Sequence, residues 1–132
     1  MKKTILLADD DINVIASLKY VLDDEGFTTQ AATTPDAALA LLKSQTIDLA
    51  LVDMNFQQDT TSGQEGLELV TAISQLDQSL PIIVMTGWAT IDIAVDAMQA
   101  GAKDFIQKPW KNERMLSAIK NQLALSASNK KA

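Results

Sequence analysis

The sequence has 132 residues, of which 47% are hydrophobic, and it carries a formal net charge of −6. These values fit one globular domain and argue against a direct nucleic-acid partner, because phosphate backbones bind through an excess of Lys and Arg. The absence of Cys and His excludes disulfides, thiolate chemistry, Ser-His triads, His-ligated zinc and a phosphohistidine carrier.

No segment has the pattern of a membrane span or a secretory signal. A membrane helix needs roughly 18–20 apolar residues, and no run approaches that length. The apolar stretch after Lys2 and Lys3 stops at Asp9, which is too short for a signal peptide. We therefore expect a cytoplasmic protein without a membrane partner.

The first half of the chain alternates apolar runs with amphipathic segments. The pattern predicts strands over residues 4–9, 27–32 and 49–53 and helices over residues 12–22 and 35–44. Asp11 and Thr34 are the expected helix caps, and Pro35 suits a first helical position. The second strand is polar, which favours the edge of a sheet. The third is apolar until it ends on Asp53, as expected of a strand buried on both faces.

The second half continues the alternation. The pattern predicts strands over residues 81–86 and 104–107 and helices over residues 64–75, 91–100 and 112–125. Thr90 is the expected cap of the fourth helix, and Ile91, Val95 and Met98 are expected to share one face of it. A glycine, Gly101, follows that helix as a plausible stop.

Five strands alternating with five helices predict an α/β fold with a doubly wound, five-stranded parallel sheet and right-handed crossovers. Because the second strand suits an edge, we expect the flavodoxin-like strand order 2-1-3-4-5, with the switch point between strands one and three. We assign one domain to residues 1–125 and a polar tail or truncated linker to residues 126–132.

Polar side chains stand where four of these strands end. Asp9 and Asp10 follow the first strand, Asp53 ends the third, Thr86 ends the fourth, and Lys108 follows the fifth. In an open parallel sheet, ligands bind outside the carboxyl ends of the strands. We therefore expect these five residues to converge on one rim of the sheet.

Carboxylates gathered at one rim repel each other, and a hard cation would offset that repulsion. Mg²⁺ takes one or two carboxylates, keeps several waters and seeks phosphate oxygens. Asp10 and Asp53 are therefore candidate ligands, with Asp9 holding a ligand water. The alternative is that the three consecutive aspartates only cap a helix, a role that suits Asp11.

Asp53 has a second possible role, because a carboxylate can act as a nucleophile and become an aspartyl phosphate. Negative charge on the phosphoryl oxygens would be met by Lys108, the Thr86 hydroxyl and neighbouring N–H groups. Gly87 would let the backbone approach a phosphoryl group closely. Each feature alone is weak, since a Lys or Thr after a strand is usually only solvated, but together they favour phosphoryl transfer.

Four segments carry a family resemblance: LLADDD at 6–11, LVDMN at 51–55, VMTG at 84–87 and GAKDFIQKPW at 101–110. With them the chain resembles, over essentially its whole length, the receiver domain of bacterial two-component response regulators. The sequence around Thr86 and Lys108 looks most like that of receivers of enhancer-binding transcription activators. Those proteins normally carry an ATPase and a DNA-binding domain downstream, so the resemblance leaves open a stand-alone receiver or a piece of a longer chain.

The resemblance implies that Asp53 accepts a phosphoryl group from the phosphohistidine of a sensor histidine kinase. It implies Mg²⁺, for which Mn²⁺ can substitute, bound by Asp10, Asp53 and the backbone carbonyl of Asn55, with Asp9 in support through a water. The function implied is a phosphorylation-activated switch that assists its own phosphorylation and dephosphorylation. It would pass the signal to a downstream domain or partner, without turning over an external substrate.

The resemblance also assigns roles at the ends of the fourth and fifth strands. Thr86, Gly87 and Lys108 match phosphate-contacting positions, and the bond before Pro109 is expected to be cis. Thr86 and Phe105 match a switch pair that rearranges on phosphorylation.

If Thr86 moves toward the phosphoryl group, Phe105 can fill the vacated space, and the output surface becomes the fourth helix, fifth strand and fifth helix. Charges of both signs on that surface favour a homodimer across a two-fold axis: Asp92, Asp96, Lys103, Asp104, Arg114 and Lys120. The alternative is that these charges only solvate the helices. Trp88 and Trp110 are expected near the rim.

One departure concerns the loop after the acceptor strand, which is usually short in this family. Here the polar residues 55–63 separate Met54 from Gln64. A tolerated surface insertion explains such a loop, because lengthening a loop costs little. A partner-specific or mobile flap beside the acceptor is the alternative.

Two other functions use similar residues. A phosphatase of the haloacid dehalogenase type would carry a second acid two residues after its nucleophile, where Asn55 stands, and a cap domain. A flavodoxin-like cofactor binder would have a hydroxyl-rich loop after the first strand, where three aspartates stand and would repel phosphate.

Overall fold

The computed structural model describes residues 2–54, 64–87 and 91–131. The strands are Thr4–Ala8 (β1), Thr28–Ala32 (β2), Leu49–Asp53 (β3), Ile82–Thr86 (β4) and Asp104–Gln107 (β5), and the helices are Ile12–Asp24 (α1), Pro35–Ser44 (α2), Gln64–Leu76 (α3), Ile91–Ala100 (α4) and Asn112–Lys131 (α5). The predicted alternation is confirmed. Every boundary except the end of α5 lies within two residues of its prediction.

The five strands form one parallel sheet in the order β2-β1-β3-β4-β5, as predicted. The register aligns Ala8 with Val52 and Asp53 with Met85, so the carboxyl ends of β1, β3 and β4 lie side by side. The polar strand β2 lies at one edge. The residues that follow β1 and β3 therefore meet at the centre of the sheet.

Helices cover both faces of the sheet, which explains why β3 is apolar at consecutive positions. Ala50 and Val52 belong to the core cluster that packs with α2, α3 and α4. Leu49 and Leu51 point to the opposite face and pack with α1 and α5. Alternate side chains of one strand thus fill two cores, as the two-residue period of a strand requires.

Two predicted helix caps are present. Asp11 Oδ1 accepts a hydrogen bond from the Asn13 N–H at 2.9 Å, and Thr34 Oγ1 accepts one from the Ala37 N–H at 3.1 Å. Each bond satisfies a backbone donor in the first turn of a helix. The third predicted cap, Thr90, lies outside the described residues, as do Asn55, Trp88 and the 55–63 loop.

The end of α5 differs from the prediction. The helix continues through Lys131, so the predicted end at Leu125 is wrong. Residues 126–131 contain no Gly or Pro to stop the helix. The Ser126 hydroxyl donates a hydrogen bond to the Ser79 carbonyl at 3.2 Å, which ties this segment to the turn before β4.

The most buried side chains of helix α4 are small ones. Ala94 and Ala97 are buried, whereas Val95 and Met98 are 49% and 40% exposed. The face shared by Val95 and Met98 therefore points to solvent. No helix within the described ranges is long and apolar enough to cross a membrane.

Candidate functional site

Asp53 is the last residue of the central strand β3 and is almost fully buried. The next residue, Met54, donates its N–H to the Met85 carbonyl of β4 at 2.9 Å. This bond continues the ladder one step beyond the strand and fixes the backbone on the far side of Asp53. The carboxylate is therefore presented at the rim from a rigid part of the sheet.

Asp9 and Asp10 follow β1 and complete a group of three carboxylates with Asp53. One ligand oxygen from each lies within 4.8 Å of the others. Asp9 is buried and Asp10 is exposed, so the group opens to solvent on one side. Asp9 Oδ1 accepts a hydrogen bond from the Asp11 N–H at 2.9 Å, which orients its carboxylate.

Hard oxygen donors in this arrangement fit a divalent cation such as Mg²⁺, which binds through one or two carboxylates and retains waters. The alternative that all three aspartates only cap α1 does not describe the site, because the N-cap is Asp11 and the clustered carboxylates are Asp9, Asp10 and Asp53.

Lys108, in the segment after the edge strand β5, extends its side chain to this group. Its Nζ lies 3.2 Å from Asp53 Oδ1 and 3.4 Å from Asp9 Oδ2. The Lys108 N–H donates to the Thr86 carbonyl at 2.7 Å, which fixes the start of its side chain beside β4. The Lys108–Pro109 peptide bond is cis. The ammonium group thus supplies positive charge between two buried carboxylates.

The carboxyl group of Asp9 has a raised pKa. Burial raises the pKa of its carboxyl from 3.8 to about 6, and the nearby Asp53 charge adds to the rise. The Asp11 N–H and the Lys108 ammonium oppose it. Desolvation disfavours the charged form of Asp9, whereas a cation bound at this rim would favour it.

Thr86 and Gly87 lie at the end of β4, the strand next to β3. Thr86 is buried, and Gly87 directly after it is partly exposed. Since Met85 pairs with Asp53, Thr86 lies one residue farther out toward the rim. Together with Asp9, Asp10, Asp53 and Lys108, these residues form the predicted convergence at the strand ends.

Two aromatic residues come from β5 and the segment that follows it. Phe105 pairs with Val84 in the β4–β5 ladder and is 39% exposed. Trp110, two residues past Lys108, is partly buried and packs against the core on the α1 and α5 side. Phe105 therefore lies on the edge strand next to the strand that carries Thr86.

Sequence reasoning missed Gly66. An ideal Cβ built on Gly66 would lie 2.6 Å from Met54 Cα, so α3 rests directly on the backbone that follows Asp53. The available signal was a glycine inside a predicted helix, where glycine costs about 1 kcal/mol relative to alanine and often marks a close backbone approach.

Comparisons with known proteins agree with this geometry. The family model of the response regulator receiver domain matches residues 5–120. The alginate biosynthesis transcriptional regulatory protein AlgB of Pseudomonas aeruginosa is 33% identical over 119 residues, which make up 90% of this chain and 25% of AlgB. The chain therefore spans about a quarter of the length of the curated relatives it matches.

Solved structures show the same fold. The structure of NtrX from Brucella abortus has a TM-score of 0.91 and 30% identity, covering 99% of this chain and 29% of NtrX. A CheY-like response regulator receiver domain protein from Methanospirillum hungatei has a TM-score of 0.89 and 30% identity, covering 98% of this chain and 99% of that protein.

Proposed function

The chain belongs to the response regulator receiver domain family, and on that basis we propose that Asp53 is the residue that accepts the phosphoryl group. Receiver domains of two-component systems are phosphorylation-dependent switches, not enzymes that turn over a substrate, and this chain is one of them. The observation that carries the proposal is the Lys108 ammonium 3.2 Å from the buried Asp53 carboxylate.

In the proposed transfer, an Asp53 oxygen attacks the phosphorus of a phosphohistidine on a sensor kinase. The P–O bond to Asp53 forms as the P–N bond breaks, and the imidazole leaves with that electron pair and takes a proton from water. Lys108 offsets negative charge on one phosphoryl oxygen. The Thr86 hydroxyl and the Gly87 N–H donate hydrogen bonds to the others, because charge spreads over all three oxygens.

We propose that Asp10 and Asp53 hold Mg²⁺, with the Asn55 carbonyl as a further ligand and Asp9 acting through a bound water. The cluster of three carboxylates open to solvent supports this assignment. When bound, Mg²⁺ or Mn²⁺ supplies positive charge for the attacking carboxylate and the phosphoryl oxygens. The chain's own residues orient Asp53 and, in the same geometry, assist hydrolysis of the acyl phosphate.

The switch is proposed to run from Thr86 to Phe105. A phosphoryl group adds about −1.5 to −2 charge, which must bias an element that has two arrangements. Thr86 is buried on β4, and Phe105 on the neighbouring β5 is partly exposed. In the proposed switch the Phe105 ring rotates inward once Thr86 moves toward the phosphate.

We propose that the output surface is made of α4, β5 and α5, and that activation promotes a homodimer through it. The exposed apolar side chains of Val95, Met98 and Phe105 support this choice. Arg114 Nη2 lies 3.8 Å from Asp104 Oδ1, so this charge pair already lies on one face. Lys120 instead contacts Glu25 of the α1 end at 3.2 Å, so we leave it out of the proposed dimer surface.

A receiver domain implies a sensor kinase upstream and an output domain or partner downstream. Because AlgB is a transcriptional regulatory protein and is similar over most of this chain, we propose that the signal ends in control of transcription.

Incubation with acetyl phosphate, followed by intact mass spectrometry, tests the proposed function. We expect one added phosphoryl group with Mg²⁺ or Mn²⁺ present and none when the metal is chelated. A protein that catalyses steady release of inorganic phosphate from many phosphomonoesters would instead be a phosphatase. A protein that takes no phosphoryl group would contradict the proposal.

A further inference from the structure

Gly66 of α3 lies directly against the backbone of Met54, the residue that follows β3. Three backbone atoms of Met54 would lie 2.6, 2.7 and 2.9 Å from a Cβ at position 66. Ordinary van der Waals contact begins near 3.4 Å, so an added methyl group would need about 0.8 Å of extra space. Backbone atoms cannot rotate away as the end of a long side chain can.

The backbone of Met54 cannot easily move away from Gly66. Its N–H is bonded to the Met85 carbonyl at 2.9 Å, and its side chain is buried in the core shared with α3. The backbone of Met54 is therefore held between β4 on one side and Gly66 of α3 on the other. Asp53 is the preceding residue, so this clamp also sets the position of its carboxylate.

From this geometry we infer that Gly66 is a positioning residue for Asp53, which acts through the Met54 backbone to set the distances from Asp53 to Lys108 and to the other carboxylates. The inference rests on the proposed acceptor role of Asp53. It gives α3 a function in phosphoryl acceptance beyond its contribution to the core.

The size of the clash indicates the effect. The Lys108 Nζ to Asp53 Oδ1 distance is 3.2 Å, and a shift of about 0.8 Å away from Lys108 would take the two atoms out of hydrogen-bonding distance. Misplacing a reacting group by about 1 Å can cost on the order of 100-fold in rate. Loss of an outer-shell support typically costs about 10–100-fold in metal affinity.

The test compares Gly66→Ala with Gly101→Ala as a matched control. Gly101 has a φ of +128°, and a Cβ there would lie 2.5 Å from Ser74 Oγ, so its substitution is also strained. It precedes the amino end of β5, whereas the carboxylates lie at the carboxyl ends of β1 and β3. Both variants should lower the melting temperature, and the readouts are the Mg²⁺ dissociation constant and the rate of labelling by acetyl phosphate at saturating Mg²⁺.

We expect Gly66→Ala to weaken Mg²⁺ binding and slow labelling by roughly 10–100-fold, as for other supporting residues. Gly101→Ala should leave both unchanged at temperatures where it is folded. Equal, normal Mg²⁺ affinity and labelling in the two variants would overturn the inference. Wild-type protein that takes no phosphoryl group would instead overturn the proposed function, so the two failures are distinguishable.

A second measurement does not depend on whether Gly66→Ala folds. The chain has five glycines, so wild-type protein labelled with ¹⁵N-glycine gives few amide signals. On titration with Mg²⁺ and beryllofluoride, we expect the Gly66 signal to shift while that of Gly26 stays in place. A Gly66 signal that does not move while that of Gly87 shifts would contradict a mechanical link between α3 and Asp53.

Discussion

Lys108 Nζ lies 3.2 Å from Asp53 Oδ1 and 3.4 Å from Asp9 Oδ2, so one ammonium group serves two buried carboxylates from different strands. Asp9 follows β1 and Asp53 ends β3, two strands whose carboxyl ends lie side by side, and the lysine comes from the segment after β5. This relationship joins the middle of the sheet to its far edge. It also makes the charge balance of the rim sensitive to a single side chain.

Replacing Lys108 should therefore destabilise the metal-free protein. Lys108→Met leaves two carboxylates without their ammonium partner, and we expect a loss of about 1–3 kcal/mol, less than for a fully buried pair because Lys108 is one quarter exposed. Mg²⁺ should restore part of the lost stability. Urea unfolding with and without Mg²⁺ measures both effects. Lys103→Met, at an exposed position, is the control, and equal stabilities of the two variants would count against the charge balance described here.

The stability of the metal-free protein should depend on pH through Asp9. Its pKa is 3.8 as a free side chain and about 6 in the fold, so between these values the folded state binds more protons than the unfolded state. Stability should then fall as pH rises from about 4 to about 6 and level off above that. The difference between wild type and Asp9→Asn in urea unfolding at several pH values isolates this contribution. A difference that does not change over that range would contradict the raised pKa.

Asp10 and Asp11 are neighbours with different expected roles. Asp10→Ala should weaken Mg²⁺ binding by at least about tenfold, because a proposed ligand is lost. Asp11→Ala should leave Mg²⁺ binding intact and cost about 1 kcal/mol of stability, because Asp11 caps α1. Without metal, Asp10→Ala should also relieve repulsion at the rim. Thermal melts of both variants, with and without Mg²⁺, give all these quantities, and equal Mg²⁺ stabilisation of the two would refute the assignment.

Activation should promote a dimer through α4, β5 and α5. We expect sedimentation velocity to show a shift toward dimer when Mg²⁺ and beryllofluoride are added. Val95→Asp should prevent that shift, because it places a charge on the exposed apolar face of α4. Asp36→Asn, at an exposed position on α2 outside that surface, should not.

Two results would test the dimer and the Thr86–Phe105 coupling separately. A protein that stays monomeric at high micromolar concentration would remove the dimer as an output. A Thr86→Ala variant that dimerises as readily as wild type would retain the dimer and contradict coupling through Thr86 and Phe105.

The fold followed from patterns that act locally. Consecutive apolar residues before Asp53 predicted a strand with both faces covered, and Thr34-Pro35 marked the start of α2 at the observed residue. The polar composition of the second strand predicted its edge position. Once the strand order is known, the convergence of Asp9, Asp53 and Lys108 follows from topology alone.

What the sequence pattern missed depends on contacts between distant segments. The exposed side of α4 is decided by how closely Ala94 and Ala97 approach the core, which helical periodicity does not reveal. Helix α5 extends past its predicted end because polar residues without Gly or Pro do not stop a helix. Gly66 was missed because its neighbour, the Met54 backbone, belongs to another element.

The identity of the modified residue tests the central proposal most directly. After labelling with acetyl phosphate and Mg²⁺, borohydride reduction converts an aspartyl phosphate to homoserine, which peptide mass spectrometry can locate. We expect homoserine at position 53 alone, and no labelling of the Asp53→Asn variant. Homoserine at position 9 or 10, or labelling of Asp53→Asn at the wild-type yield, would contradict the assignment of Asp53 as the phosphoryl acceptor.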